Sequence, residues 1–244
     1  LILRSQNPKQ KNLIKTDLAR VVNGYEAEKD NAYYIGFRFK ESPRSILLHD
    51  VRIEHEGKVA QIDHIIINRF GIEILESKSF TGTLTIKGDG ALNVKYGNKT
   101  QTFPNPIEQN KRHAEILGDF IKANITLPSN LKLLGVPIVS TVLINPQTTI
   151  THNTLPEGFA RADSFTTHWD ERIENMSPLA MFKSISKMMT LDKAKEIADF
   201  LVQSHTPKIY DYAKRYPIHE EENRQMMPTI EAIVNEPIME EIAS

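Results

Sequence analysis

The chain has 244 residues, of which 40% are hydrophobic and 25% charged, with a formal net charge of −1 and no cysteine. That is an ordinary globular composition, long enough for one large domain or one domain with an appendage. It excludes disulfides, thiolate zinc sites and a cysteine nucleophile, and no apolar run reaches the roughly 18 residues of a membrane span.

No signal peptide is visible, and the lack of cysteine fits a reducing, cytoplasmic location. The chain starts at Leu1 rather than Met, which leaves room for an upstream membrane anchor. Charge is segregated along the chain. Residues 78–112 hold six Lys or Arg against two acidic residues, and residues 218–244 hold one Arg against seven Glu. A basic middle and an acidic tail are expected.

Residues 1–15 are polar and basic and read as a loose arm. A helix is predicted from Thr16–Asp17, both good N-caps. Leu18, Val21, Val22, Tyr25, Ala32 and Ile35 recur at helical spacing and define an expected inward stripe. Glu28 falls on that stripe, where a carboxylate is costly unless paired or bound to a cation. Its ordinary reading is a boundary residue snorkelling to water. Glu26 lies off the stripe.

Ser42, Pro43 and Arg44 break the helix, and Ile46–Glu54 reads as a strand. His55-Glu56-Gly57-Lys58 is a turn. Residues 61–78, QIDHIIINRFGIEILESK, read as two β-branched strands joined by a tight reversal. Asn68 and Gly71 flank Arg69 and Phe70 and suit the angles of a short turn. With Arg69 and Phe70 as the loop, paired residue numbers sum to 139 and Asp63 faces Glu76. Opposite Cβ atoms lie roughly 5 Å apart, and Lys78 shares the face of Glu76. An odd-length turn would break this alignment.

Two carboxylates held together repel unless a cation intervenes. Mg²⁺ is the natural guest, with Mn²⁺ as its substitute, because a hard cation takes one or two carboxylates plus water and phosphate oxygens. A lysine beside it can orient or deprotonate water, or stabilise charge on phosphate. The ordinary reading of Glu76 and Lys78 is a solvated salt bridge on a strand. His64 points to the face opposite Asp63. The eight histidines lack metal-ligand spacing, so His64 and His113 read first as hydrogen-bonding residues.

Two more short strands follow at Gly82–Lys87 and Ala91–Tyr96, separated by glycine turns, giving a mostly antiparallel meander of about five strands. The next helix has an explicit start. Asn105 is an N-cap candidate, and Pro106 takes the first helical position, where its missing N–H costs nothing. Gln109, His113, Ile116 and Phe120 form a stripe on it. Gln109, near the helix start, can bind water beside a metal or a phosphate; taken alone it reads as a surface glutamine.

Residues 136–144 form a β-rich run in which Pro137 suggests a late start or an edge position. Phe165–Thr167 reads as a further short strand. Helices are expected at Pro178–Met189 and Leu191–Ser204, with Met181, Phe182, Ile185, Met188 and Met189 as core filling. Tyr210, Tyr212 and Tyr216 suggest one more short helix. Residues 218–244 read as an acidic, flexible or partner-docked tail.

The segment GYEAE ending at Glu28, QIDHIII with Asp63, GIEILESKSFTG with Glu76 and Lys78, and NPIEQNKRH with Gln109 together resemble the nuclease-related domain family. That family is assigned to the PD-(D/E)xK restriction-endonuclease-like superfamily. The resemblance covers about residues 18–125, with the strand at 136–144 as its last core element. It implies an α/β (α+β) fold: an αβββαβ core with a central mixed sheet flanked by helices, here followed by a helical C-terminal region. Domain bounds follow as an arm at 1–15, the nuclease-related domain at 16–167, the helical region at 168–217 and the tail at 218–244. Asp63, Glu76 and Lys78 are then the metal and catalytic set, with Glu28 and Gln109 supporting. Ala27 and Ser77 depart from the family's common glycine and threonine without harm.

The expected function is hydrolysis of phosphodiester bonds in nucleic acid, with DNA favoured. Lys95, Lys99, Lys111 and Arg112 are expected to contact phosphates. A homodimer, and a protein partner on the helical region or tail, are the further expectations. Two alternatives stay open: a non-catalytic nucleic-acid-binding module, and a regulatory interaction subunit.

Overall fold

The computed structural model describes residues 7–151 and 154–217; the acidic tail at 218–244 lies outside the described residues. The described residues divide into two units, residues 7–22 with 209–217, and the larger unit within residues 23–208.

Helix α1 (Pro8–Phe39) runs through both. It starts well before Thr16, so residues 8–15 are helical rather than a loose arm. Asn7 caps it, its Oδ1 accepting from Lys9 N at 3.0 Å, and Pro8 takes the first helical position. In the smaller unit, α7 (Tyr212–Arg215) lies close by in sequence to Tyr216, whose hydroxyl donates to Asp17 Oδ2. Arg215 pairs with the same oxygen at 2.7 Å.

The larger unit is built on a five-stranded sheet of β1 (Ser45–His55), β2 (Lys58–Asn68), β3 (Gly71–Lys78), β7 (Ile138–Ile144) and β9 (Phe159–Arg161), in the order β1-β2-β3-β7-β9. The first three strands are antiparallel, and β3, β7 and β9 are parallel. Parallel pairing of β3 with β7 needs a crossover, and α2 (Pro106–Asn124) and α3 (Ser129–Leu134) lie within it. A second sheet, in the order β6-β5-β4-β8, holds β4 (Thr83–Ile86), β5 (Leu92–Tyr96), β6 (Lys99–Phe103) and β8 (Thr149–Ile150). Helices α4 (Phe165–Glu174), α5 (Pro178–Ser186) and α6 (Leu191–Gln203) follow.

The β2–β3 turn is the expected one. Asn68 pairs with Gly71, Asn68 Oδ1 accepts from Phe70 N at 2.7 Å, and Gly71 has φ 138°. A Cβ at Gly71 would meet Pro137 O at 2.4 Å, because Ile72 N donates to that same carbonyl at 2.9 Å. Glycine is therefore required both by angle and by space.

One core cluster joins β1, β2 and β3 to α2 and α6 through Ile53, Ile65, Ile67, Ile74, Leu117, Ile121, Ile197 and Leu201. A second, on the other face, joins Ile35 and Phe39 of α1 to Ile66, Leu75, Leu143, Phe165 and Trp169. Facing does not stay regular along β1 and β2. Ile46 and Leu48 pack on the α2 side, yet so do Val51 and Ile53; Ile62 does, and so do Ile65 and Ile67. Strict alternation forbids this, so both strands slip phase together between these groups. Asp50, with φ 50°, sits at the slip in β1, and the count places Asp63 opposite it in β2. Pair numbers still sum to 113 on either side.

Several expectations are corrected. Leu18, Val21, Val22 and Tyr25 are not inward: their exposure runs from 47% for Val22 to 63% for Tyr25. The buried face from Ala27 on is Ala27, Asn31, Ile35 and Phe39. Helical spacing finds a stripe but not which stripe a sheet covers, and the sheet is met only from the second half of α1. β7 starts late, at Ile138, but lies inside the sheet between β3 and β9 rather than at an edge. Phe165–Thr167 opens α4 instead of a strand. Met181, Phe182 and Ile185 on α5 are exposed, and of that group only Met189 is buried in the core. α6 packs into the main core through Ala194, Ile197, Ala198 and Leu201. β6 was not expected, because its residues are almost all exposed and carry no apolar alternation.

Candidate active site

Glu76 anchors the arrangement. It is buried at the C-terminal end of β3, on the face of Ile72 and Ile74, and its Oε1 accepts from Lys78 Nζ at 2.6 Å and from Gln109 Nε2 at 3.1 Å. Period two puts Lys78 beside Glu76. Gln109 arrives from the first turn of α2, whose start is fixed by Asn105 Oδ1 accepting from Ile107 N and by Pro106 at the first position.

Asp63 comes from β2. The pairs His64–Leu75 through Asn68–Gly71 sum to 139, and continuing the count puts Asp63 against Glu76. Asp63 Oδ2 accepts from Ser77 N at 2.7 Å. Burial raises the Asp63 carboxyl well above the ordinary carboxylate range, and the neighbouring charges of Glu76 and then Glu28 add to it. The Ser77 amide and Lys78 act in the opposite direction without cancelling this. Glu28, half-buried on α1, is also raised, by burial first and then by the charges of Asp50 and Glu76. The structure therefore brings Glu28, Asp63, Glu76, Lys78 and Gln109 into one electrostatic neighbourhood.

On the far face of the sheet, His64 Nδ1 lies 2.8 Å from His49 Nδ1, and His64 Nε2 lies 3.0 Å from Ser77 Oγ. Ser77 thus links this histidine pair to Asp63 across the strand. Burial, with His49 adding, lowers the His64 pKa to about 3, so this pair is neutral near pH 7.

Asp50 is the site neighbour that sequence reasoning missed. The signal was available: carrying the pair count one strand further sets Asp50 opposite Asp63, and its left-handed backbone angle is uncommon outside Asn, Asp and Gly.

The four candidate phosphate contacts are dispersed. Lys95 on β5 and Lys99 on β6 are exposed on the second sheet. Lys111 and Arg112 are exposed on α2, and Lys111 pairs with Glu108 at 2.6 Å. Lys111 also lines a shallow cleft shared with Lys87, Asp89 and Glu157. Among the described residues, no ion pair joins any of the four to Asp63 or Glu76.

As a cation site the arrangement offers two carboxylates. Among the described residues, Asp63 Oδ1 and Glu76 Oε2 accept no hydrogen bond, and no group of three His, Asp or Glu side chains is gathered to hold a metal alone. That donor set suits Mg²⁺, which keeps most of its water and takes one or two carboxylates. It does not suit an ion that needs a full protein cage.

A mixed sheet with helices on both faces, an acidic pair and a lysine at the end of its central strands define a nuclease-like α/β domain. The nuclease-related domain (NERD) model matches residues 23–145, just over half of the chain, and the protein belongs to that family. No curated protein and no solved structure matches the chain. Its function is accordingly nuclease-related. Among the described residues, no helix is long and apolar enough to cross a membrane.

Proposed function

We propose that the protein is a divalent-metal-dependent nuclease that hydrolyses phosphodiester bonds, with DNA as the favoured substrate. The observation that carries this reading is the convergence of Lys78 and Gln109 on one oxygen of Glu76, beside a partly buried Asp63 whose carboxyl is raised well above its ordinary range. A partly buried acid crowded by a second carboxylate is relieved by a cation. Asp63 and Glu76 would hold Mg²⁺, or Mn²⁺ in its place. Such an ion, when bound, supplies Lewis-acid polarisation of phosphate and lowers the pKa of water nearby.

The chain's own groups then divide the work. Lys78 orients the attacking water or neutralises charge building on the phosphate. Gln109 fixes the Glu76 carboxylate by its amide and leaves Oε2 directed elsewhere. Glu28, half-buried on α1, supplies a further carboxyl within reach of the Glu76 charge. Lys95, Lys99, Lys111 and Arg112 would track the phosphate backbone away from the reacting bond.

A second reading is a non-catalytic nucleic-acid-binding module. What favours it is that the Lys78 ammonium already neutralises the Glu76 carboxylate at 2.6 Å. One assay separates the two: incubation with single- and double-stranded DNA and RNA, in Mg²⁺ and in EDTA. EDTA-sensitive cleavage that Glu76→Ala abolishes supports the nuclease. Binding without cleavage in any metal supports the module.

A further inference from the structure

Buried polar groups in folded proteins are nearly always hydrogen-bonded. Among the described residues four buried side-chain polar atoms have no partner: Asn31 Nδ2 and Oδ1, Asn110 Nδ2, and His113 Nδ1. All three residues lie on the two helices that deliver site residues. Asn31 follows Glu28 by three positions on α1, and Asn110 and His113 follow Gln109 by one and four on α2. Asn31 is fully buried and Asn110 is 2% exposed. Orphaned groups scattered by chance would not gather one turn from Glu28 and Gln109.

His113 is the best placed of the three. Residues at i and i+4 share a helix face, so its ring stacks over the same side of α2 from which Gln109 reaches Glu76 Oε1. The ring also feels the charges of Glu76 and Lys78, while burial, the largest influence, keeps it neutral. A neutral imidazole carries one donor and one acceptor. An unpartnered nitrogen beside a buried carboxylate is suited to hold water in a fixed orientation.

We propose that His113 is a positioning residue that orders the water shell of the cation held by Asp63 and Glu76. This rests on the nuclease reading above. Groups behind a metal's direct ligands commonly change its affinity 10–100-fold, and a site with only two carboxylates relies on its water more than most.

The test uses the full chain, with Mg²⁺ alone as the probe. Apo thermal stability and the Mg²⁺ Kd are measured for wild type, His113→Phe and His113→Gln. His113→Phe keeps a planar ring and removes both nitrogens; it should match or exceed wild type in apo stability, because an unsatisfied group has gone. Its Mg²⁺ Kd should weaken about tenfold. His113→Gln should recover most of that affinity. Where His113→Phe is destabilised or unfolded, His113→Gln decides: a folded His113→Gln whose Mg²⁺ Kd stays weakened would assign the ring to packing and overturn the proposal. Unchanged Mg²⁺ affinity in His113→Phe, with a normal wild-type response, would overturn it while leaving the nuclease reading intact. A wild type that gives no Mg²⁺ response would remove both.

Discussion

Lys78 Nζ lies 2.6 Å from Glu76 Oε1, on the strand end where Gln109 also donates to that oxygen. The lysine is thus tied to the candidate metal carboxylate before any substrate arrives. If Lys78 acts on water or phosphate, Lys78→Ala should leave Mg²⁺ binding in place and lower single-turnover cleavage by about 10²–10⁴. Glu76→Ala should lose Mg²⁺ binding as well. Equal cleavage rates for wild type and Lys78→Ala at saturating Mg²⁺ would reduce the lysine to a salt-bridge partner.

Asp63→Asn should stabilise the metal-free protein at neutral pH. The folded-state carboxyl is raised, chiefly by burial. The folded chain therefore holds its proton to higher pH than the unfolded chain, and stability falls as pH rises from about 3.8 through the raised value. The asparagine still offers an oxygen to Ser77 N, so the strand contact survives. Thermal melts at pH 7 should rise by about 2–4 °C for each 1 kcal/mol regained, and the Mg²⁺ response should vanish. A lower Tm at neutral pH would show that the charged acid is an asset to the apo fold.

His64 makes the opposite contribution. Its folded pKa of about 3 lies below its ordinary 6.5. Below pH 6.5 the unfolded chain gains a proton that the folded chain refuses, so stability is lost as pH falls from 6.5 towards 3, by up to about 1.4 kcal/mol per pH unit. Urea midpoints across that range should fall more steeply for wild type than for His64→Gln. Parallel curves would mean that His64 does not titrate as its burial demands.

Gly71→Ala should destabilise by more than about 1 kcal/mol. The backbone angle of 138° and the Pro137 carbonyl 2.4 Å from the new Cβ both oppose it. Because β3 begins here and pairs with β7 through Ile72 and Ile138, the loss should appear in global denaturation. A neutral substitution would show that the turn adjusts at little cost.

The hairpin was fully legible in the sequence, because a two-residue turn and a period of two leave one register open. Asn105-Pro106 marked α2 correctly. The same Asn-Pro pair at Asn7-Pro8 marks the start of α1, whereas the apolar spacing begins only beyond Thr16-Asp17 and points to a later start. Asp17 instead receives Tyr216 and Arg215, contacts about 200 positions away that no local pattern encodes. The exposed stripe on α1 and the exposed apolar face of α5 misled for one reason: periodicity measures amphipathicity, and burial depends on what else arrives. Asp63, Glu76 and Lys78 could be placed from neighbouring strands alone. Asp50 needed one more strand, and Asn31 and His113 needed the full packing of two helices.

The slip of β1 and β2 at Asp50 and Asp63 makes these two positions inseparable in descent. Losing one residue near Asp50 would restore ordinary alternation in β1 alone, leaving β2 with its slip and throwing the pairing of the two strands out of register on one side of it. Only a matching loss in β2 would return the strands to step, and that loss would remove or displace the aspartate facing Glu76. Insertions and deletions should therefore collect in the outer loops and spare this seam, and a lineage that discards the carboxylate pair is free to straighten both strands at once.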